Sequence, residues 1–511
     1  MHRLVVLLAI FLNVCYCAKI LIYCPSISQS HVLLCGKYAD VLHNDGHDTV
    51  LFIPSYIPSL DTFDGAKQAK VWRLKNISNF FETLGETWQD WLENTNDVGF
   101  FGRMNMEYIW WIPMCKTMVD MLPRMKHITD YNFDLAIIKD VDYCDIAIVR
   151  SLGIRKYALL SSEPLMDKIV WDLGIHNPPS YVPSIEENAL DDRMSFWQRL
   201  TNSYKRFQSI VLHYIVNKWI VEIFREKVDP NFPSTIDLMR NCSIVLVNTN
   251  EMFDLPRPIS PKVVYIGSLG HGNGSVDSKI DEIFNKGALG SVYISFGTVA
   301  PFDYLPIRIK RSILTAVQGL PDYHFIIKIP TTDTTTAQLF QNVTNVDLLH
   351  WVPQNDVLKH PNLRLFVTHG GMNSVLEGAT GGVPMLVMPV FTDQFRNGKN
   401  VERRGNGLMI RREDIEETTF LSKMKLLLDK EQYVKVAKRI AKMITTRPFI
   451  GEERVTKWIN FTIRYDLHEI YDLTANTMFN IQYFLVDIIL FFCIFILGTH
   501  ILIKIIAQGY N

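Results

Sequence analysis

The run from Trp351 to Gln394 constrains the fold more than any other stretch. It reads WVPQNDVLKHPNLRLFVTHGGMNSVLEGATGGVPMLVMPVFTDQ. A short apolar run, Leu363 to Val367, ends in Thr368-His369-Gly370-Gly371, a helical segment carrying Glu377 follows from near Asn373, Gly381-Gly382 stops it, and Pro384 to Met388 is apolar again. Strand, glycine turn, helix and strand make a βαβ unit with its polar cluster at the carboxyl end of the first strand.

That turn suits an anion. The first turn of a helix leaves backbone N–H groups unpaired, its dipole adds positive potential, and glycines admit a diphosphate close to the backbone. His369 can donate to a phosphate oxygen, and Asn373 and Ser374 are cap-type residues that add side-chain hydrogen bonds. Glu377, a turn further on, reaches ribose hydroxyls. Trp351 offers a flat face for a base and Gln354 an amide. Asp393 and Gln394 follow the next strand, where a sugar on the diphosphate would lie. A second strand-to-turn, Ser295-Phe296-Gly297-Thr298, is also phosphate-friendly through Ser295 or Thr298.

The ensemble resembles the signature of the UDP-glycosyltransferase family, particularly the membrane-bound UDP-glucuronosyltransferases of animals, nematode-like among them. The residues that carry the resemblance run from Trp351, Gln354, His360-Pro361 and Thr368 to Gly371 through Ser374, Glu377, Gly382-Val383-Pro384, Pro389, Asp393-Gln394 and Asn397. PPSYVP at 178–183 and LPRPISPKVVYIG at 255–267 extend it over most of the chain. The resemblance implies an α/β GT-B fold, two Rossmann-like domains facing a cleft, with a C-terminal transmembrane helix. It also implies that Trp351 stacks on uracil, Gln354 and Glu377 hold ribose, and His369 with Gly371 and the following turn holds the diphosphate. Asp393 and Gln394 would bind sugar hydroxyls. UDP-glucuronate or UDP-glucose would be the co-substrate, with no further cofactor and no metal.

Other segments bound the organisation. At 511 residues, two to three domains are expected. The formal charge of −1 gives no reason to expect a nucleic-acid partner. Residues 1–17 read as a secretory signal and 18–267 as an acceptor-binding domain. Residues 268–288 read as a linker, 289–450 as a UDP-sugar-binding domain and 451–480 as a connecting segment. The apolar stretch 481–503, with Asp487 near its start, is long enough to span a bilayer, and 504–511 form a tail. Signal plus span places the bulk in the endoplasmic reticulum lumen of a single-pass type I protein. Sequons at Asn76, Asn241, Asn273, Asn342 and Asn460 agree with that compartment. The cysteines are few and widely spaced, which indicates no disulfide framework or zinc site; they read as mostly buried apolar residues. Residues 61–128, rich in Trp and Met, suit helices and loops around an apolar cavity and hence small lipophilic acceptors. The aromatic and basic helical pattern at 196–228 fits either a membrane-surface helix or an ordinary packing helix. The oligomeric state stays open, a homo-oligomer among the options.

Transfer to a hydroxyl needs a base. His31, after the loop that follows the first strand, matches the family's Ser-His position (Ser30-His31). The carboxylate that the family pairs with it would fall on Lys139; Asp140 is the preferred substitute and Asp142 the other. Asp140-Val141-Asp142 also spells a DxD metal motif, a role given little weight beside the helix terminus and His369. Val247 stands where vertebrate glucuronosyl members tend to carry an arginine, so a neutral donor sugar rivals glucuronate. The expectation is inverting hexosyl transfer with His31 as base. The alternative is a non-catalytic, membrane-anchored UDP-sugar-binding protein, which Lys139 favours.

Overall fold

The computed structural model describes residues 17–77, 99–140, 143–185, 188–267, 269–270, 274–298 and 301–509. Most of the expected leader, the 78–98 part of the apolar region, Asp142 and the Asn273 sequon lie outside the described residues.

Two wholly parallel sheets form the framework. The first contains β1 (Lys19–Tyr23), β2 (Asp48–Pro54), β3 (Lys70–Leu74), β4 (Leu135–Lys139), β5 (Tyr157–Ser161), β6 (Val245–Val247) and β7 (Val263–Tyr265), in the order β3-β2-β1-β4-β5-β6-β7. The second contains β8 (Gly290–Ser295), β9 (Tyr323–Lys328), β10 (Val346–Leu349), β11 (Leu363–Thr368), β12 (Met385–Val387) and β13 (Gly407–Met409), in the order β10-β9-β8-β11-β12-β13. Central strands such as LAIIK in β4 are buried throughout, as strands covered on both faces by helices must be. β3 and β13 are the two strands not anticipated from sequence. Both are sheet edges, one half-exposed with charges in its pattern and the other three residues long, so neither shows an apolar run.

In each sheet the strand order reverses between two parallel neighbours, β1 and β4 in the first, β8 and β11 in the second. Such switch points open a crevice beyond the carboxyl ends of the strands.

The helices that matter below are α1 (Gln29–Asn44), α2 (Gly99–Met106), α3 (Asp167–Asp172), α4 (Phe196–Lys227), α5 (Ser278–Phe284), α6 (Met372–Gly381), α7 (Gln394–Arg404), α8 (Gly451–Arg464) and α9 (Val486–Gly509). Two sequence boundaries shift. α5 lies inside the expected linker, yet its Ile280, Ile283 and Phe284 pack with Tyr293 and Phe366 of the second sheet. α8 lies in the expected connecting segment and returns to the first domain, where Val455 and Ile459 join Ile20, Ile22 and Leu34 in one core. The apolar helix runs Val486–Gln508 rather than 481–503, because Leu485, at φ 54°, separates it from a short turn at Asn480–Tyr483. Lys504 therefore lies within the helix.

The cysteine reading is corrected. Cys24 pairs with Cys35 and Cys115 with Cys144, while Cys242 is buried and free. The pairing comes from the β1–α1 turn and from the packing of helix Ile112–Asp120 on the helix that Cys144 starts after β4, which bring the Cα atoms to 6.4 and 5.8 Å. No spacing rule encodes that.

Candidate active site

The second-domain wall begins at the ends of β8 and β11. Gly297, at φ 79°, and Gly371 flank the His369 ring. A Cβ on Gly297 would stand 2.7 Å from His369 Cε1, and one on Gly371 would stand 2.5 Å from Nε2. The imidazole fits between the two turns because both lack side chains. Desolvation, with Lys328 adding to it against an opposing backbone contact from Ser295, holds the His369 pKa at about 4. The ring is thus neutral and still has one N–H to donate. α6 starts at Met372 with Gly371 as its cap and no side-chain cap bond, so its first N–H groups face the cleft. Ser295 is buried, and Thr298 Oγ1 has no hydrogen-bond partner among the described residues.

Asn373 and Ser374 are consequently not caps. Asn373 Oδ1 accepts from Asn248 Nδ2 of the first domain at 2.7 Å. Ser374 Oγ accepts from Gln354 Nε2 at 3.2 Å, and the same amide donates to Glu377 Oε2 at 2.7 Å. Tyr293 completes this cluster by donating to Gln354 Oε1 at 3.3 Å. Burial raises the Glu377 pKa, opposed by Lys37, Gln354 and Lys328. Trp351 stands at the rim, 59% exposed, with Lys328 Nζ 5.2 Å from its ring centroid. Asp393 is buried and accepts from Asn397 Nδ2 at 2.6 Å and Thr392 Oγ1 at 3.2 Å. Its pKa is pushed well above the carboxylate range, by burial first and by the facing Glu163 second. Gln394 Oε1 accepts from the backbone of Val390 and Phe391, which shapes the loop before it.

The first-domain wall carries His31 in the first turn of α1. Its N–H is held by Ser28 Oγ, the helix cap, at 3.2 Å. The Cys24–Cys35 bridge closes the loop around it. His31 Nε2 lies 3.4 Å from Ser162 Oγ, and Nδ1 has no partner among the described residues. Burial, then the charge on Lys139, depress its pKa well below 6.5. The structure does not bring Asp140 to this ring. Its carboxylate pairs with Lys168 at 3.5 Å, while Lys139 Nζ, itself buried, donates to the Asp140 carbonyl. Asp140 lies just past the end of β4, where Lys168 of α3 takes up its carboxylate. The ring of His31 thus rests on a hydroxyl where a carboxylate was sought.

The two walls meet in one cleft of about 770 Å³. Of the residues singled out from sequence, His31, Ser295, Thr298, Trp351, Gln354, His369, Gly371, Asn373, Ser374, Glu377, Asp393 and Gln394 line it; Asp140 does not. Sequence reasoning missed Ser162, Glu163, Lys168 and Lys328. Ser162 and Glu163 follow β5 and Lys328 ends β9, which is the one signal that could have found them; Lys168 lies in the first turn of α3. Also on the wall, His213 Nε2 and Tyr143 OH both share Asp172 Oδ2 at 2.7 Å.

Two facing Rossmann-like domains, with a glycine turn and an open helix terminus on one wall, make the GT-B architecture. Solved structures agree on the fold: a kitacinnamycin glycosyltransferase at TM-score 0.61 and 17% identity, covering 88% of this chain and 99% of that one, and the calicheamicin glycosyltransferase CalG4 at 0.59 and 16%, covering 88% and 99%. Residues 18–511 match the family model described as UDP-glucoronosyl and UDP-glucosyl transferase, and the chain belongs to that family. It is 53% identical over 480 residues to ugt-50 of Caenorhabditis elegans, whose name ranks it provisionally among the UDP-glucuronosyltransferases, covering 93% of this chain and 92% of that one. UDP-glucuronosyltransferase 3A1 of Xenopus laevis is 25% identical over 94% of this chain and 91% of its own length. The protein is a glycosyltransferase with a UDP-sugar as co-substrate.

Proposed function

We propose that the protein transfers a neutral hexosyl group from its UDP-sugar to a hydroxyl of a small lipophilic acceptor, with inversion. The observation that carries this is the pairing, across one cleft, of a neutral histidine with a glycine-cradled helix terminus. Uracil stacks on Trp351, ribose meets Gln354 and Glu377, and the diphosphate lies against Ser295, Thr298, His369 and the first turn of α6. The hexose then reaches Asp393, Gln394 and Glu163. In the transfer, the acceptor oxygen bonds to the anomeric carbon as that carbon's bond to the diphosphate breaks. The acceptor proton passes to His31, and the charge leaving with UDP is met by His369 N–H and the helix terminus. One displacement inverts the centre.

The neutral donor follows from charge. Asp393 and Glu163 lie together where the sugar would sit, burial and Glu163 favour the protonated form of Asp393, and a uronate would bring a further negative charge beside Glu163. Membrane anchoring rests on α9, apolar and exposed along its length. A lumenal location is supported by two disulfides in the first domain, which suit an oxidising compartment.

A second reading, UDP-sugar binding without turnover, is favoured by one observation: no carboxylate hydrogen-bonds to His31 among the described residues. The test is UDP release by the full-length protein with UDP-glucose and UDP-glucuronate against phenols and apolar alcohols, with the product anomer read by NMR. Inverted product, formed mainly from UDP-glucose, is expected. Preference for glucuronate would overturn the donor assignment, a retained anomer would overturn single displacement, and tight donor binding without product would establish the second reading.

A further inference from the structure

One buried side chain is bonded to both walls of the cleft. Asn248 follows β6 and is 1% exposed, and its backbone N–H donates to the Ser161 carbonyl at 2.9 Å, which fixes it at the carboxyl edge of the first sheet. A carboxamide nitrogen carries two N–H donors. Here they serve different domains. Nδ2 donates to Asn373 Oδ1, in the first turn of α6, at 2.7 Å, and to the carbonyl of Ser162 at 3.3 Å. Ser162 is the residue whose hydroxyl meets His31. Asn248 Oδ1 has no hydrogen-bond partner among the described residues, so the side chain is used only through its two N–H groups.

Each bond has a consequence at the site. Asn373 lines the cleft beside the open N–H groups of α6. With Oδ1 engaged by Asn248, the end of the Asn373 carboxamide left over is Nδ2, a donor. Turned the other way, it would present an oxygen where the helix terminus favours an anion. The Ser162 carbonyl is held by the same nitrogen, and with it the hydroxyl on which the His31 ring rests. Docking of the domains does not account for this arrangement. Arg396 and Asn400 of α7 bond to Asp254 at 2.8 and 3.0 Å, Arg404 donates to the Phe253 carbonyl at 2.9 Å, and Arg403 pairs with Asp192 at 2.7 Å. The seam is held without Asn248.

We propose that Asn248 is a positioning residue that couples the two walls: it turns Asn373 Nδ2 toward the diphosphate and holds Ser162 against the base, so that one side chain sets donor binding and proton transfer together. This rests on the reading of α6 as the diphosphate site and of His31 as the base, and the experiment keeps the two apart. Its first arm is the UDP affinity of the full-length protein by calorimetry, which needs no turnover. Asn373→Ala should weaken UDP about tenfold and Asn248→Ala about threefold, and Asn248→Ala added to Asn373→Ala should cost nothing more, because both act through one bond. Asn248→Leu, which keeps the seam packed, should match Asn248→Ala in affinity and wild type in melting temperature. A further loss in the double variant, or none from Asn248→Ala and Asn248→Leu alone, would overturn the bond to Asn373 as a functional one. Asn373→Ala binding UDP as wild type does would overturn the diphosphate placement and the donor half with it. The second arm is kcat at saturating UDP-glucose with a phenol acceptor. In the Asn373→Ala background Asn248→Ala should still lower kcat about fivefold, and Ser162→Ala in that background should erase the difference. Equal kcat with and without Asn248 would overturn its coupling to the base. Near wild-type turnover by His31→Ala would instead remove the base reading, and the UDP affinities would still decide the donor half.

Discussion

The two halves of the cleft are built on the same topology and solve opposite problems. In the second domain, most polar groups near the glycine turn are netted to a neighbour, as Gln354, Ser374, Glu377 and Tyr293 are, or framed by glycine, as His369 is, while Thr298 Oγ1 has no partner among the described residues. In the first domain, the only hydrogen-bond partner of the His31 ring among the described residues is a serine hydroxyl at 3.4 Å, and the nearby charges are occupied elsewhere, Asp140 with Lys168 and Lys139 with a carbonyl. Under the proposed mechanism the second-domain wall would serve one fixed anion, and the first-domain wall would keep His31 neutral by burial with Nδ1 open. Recognition of an invariant ligand tolerates a rigid network, whereas a base that must gain and lose a proton is better served by few partners.

Breaking the donor wall should have the largest effect. His369→Ala removes a hydrogen bond aimed at the leaving diphosphate, and a kcat loss of about 10²–10³ is expected in steady-state assays. A loss no greater than that from a rim substitution would mean that the helix terminus alone carries the charge. Next comes the seam between the halves. Asp254 and Arg396 form a fully buried ion pair at 2.8 Å, and Asp254 also accepts from Asn400 at 3.0 Å. Asp254→Ala should destabilise the protein by about 3 kcal/mol in chemical denaturation, since it strands a buried guanidinium. Trp351→Ala should weaken UDP binding by about 1–2 kcal/mol in calorimetry, the worth of one base on an aromatic face. Equal binding by wild type and variant would move the uracil off that ring.

The smallest effect sharpens the comparison most. His31 must be neutral to accept a proton, so activity falls as pH drops through its depressed pKa, below 6.5. Burial contributes most to that depression and Lys139 the rest. Lys139→Met removes the second cause, the pKa rises, and the acid limb of the kcat profile should move to higher pH. A limb that stays in place or moves to lower pH would remove Lys139 from the account.

The same contrast explains what the sequence disclosed. The donor wall was legible because 44 contiguous residues, Trp351 to Gln394, carry turn, helix and ligands at fixed offsets. Most strands of both sheets were legible as apolar runs separated by turns. The acceptor wall was not legible beyond His31, because Ser162, Glu163, Lys168 and His213 come from separate elements joined only by the fold. Asp140 misled because Lys168, from a helix distant in sequence, takes up its carboxylate. The disulfides, and α8 crossing back to the first domain, were invisible for a related reason: both depend on where distant segments return.

The account turns on His31 acting as the base without a carboxylate beside it. The decisive measurement is the kcat–pH profile of wild type and His31→Ala in the full-length protein, with UDP-sugar affinity measured in parallel. The variant should lose about 10²–10⁴ in kcat, keep donor affinity, and lack the acid limb that wild type shows below pH 6.5. Turnover by the variant near the wild-type rate, with the limb intact, would contradict it.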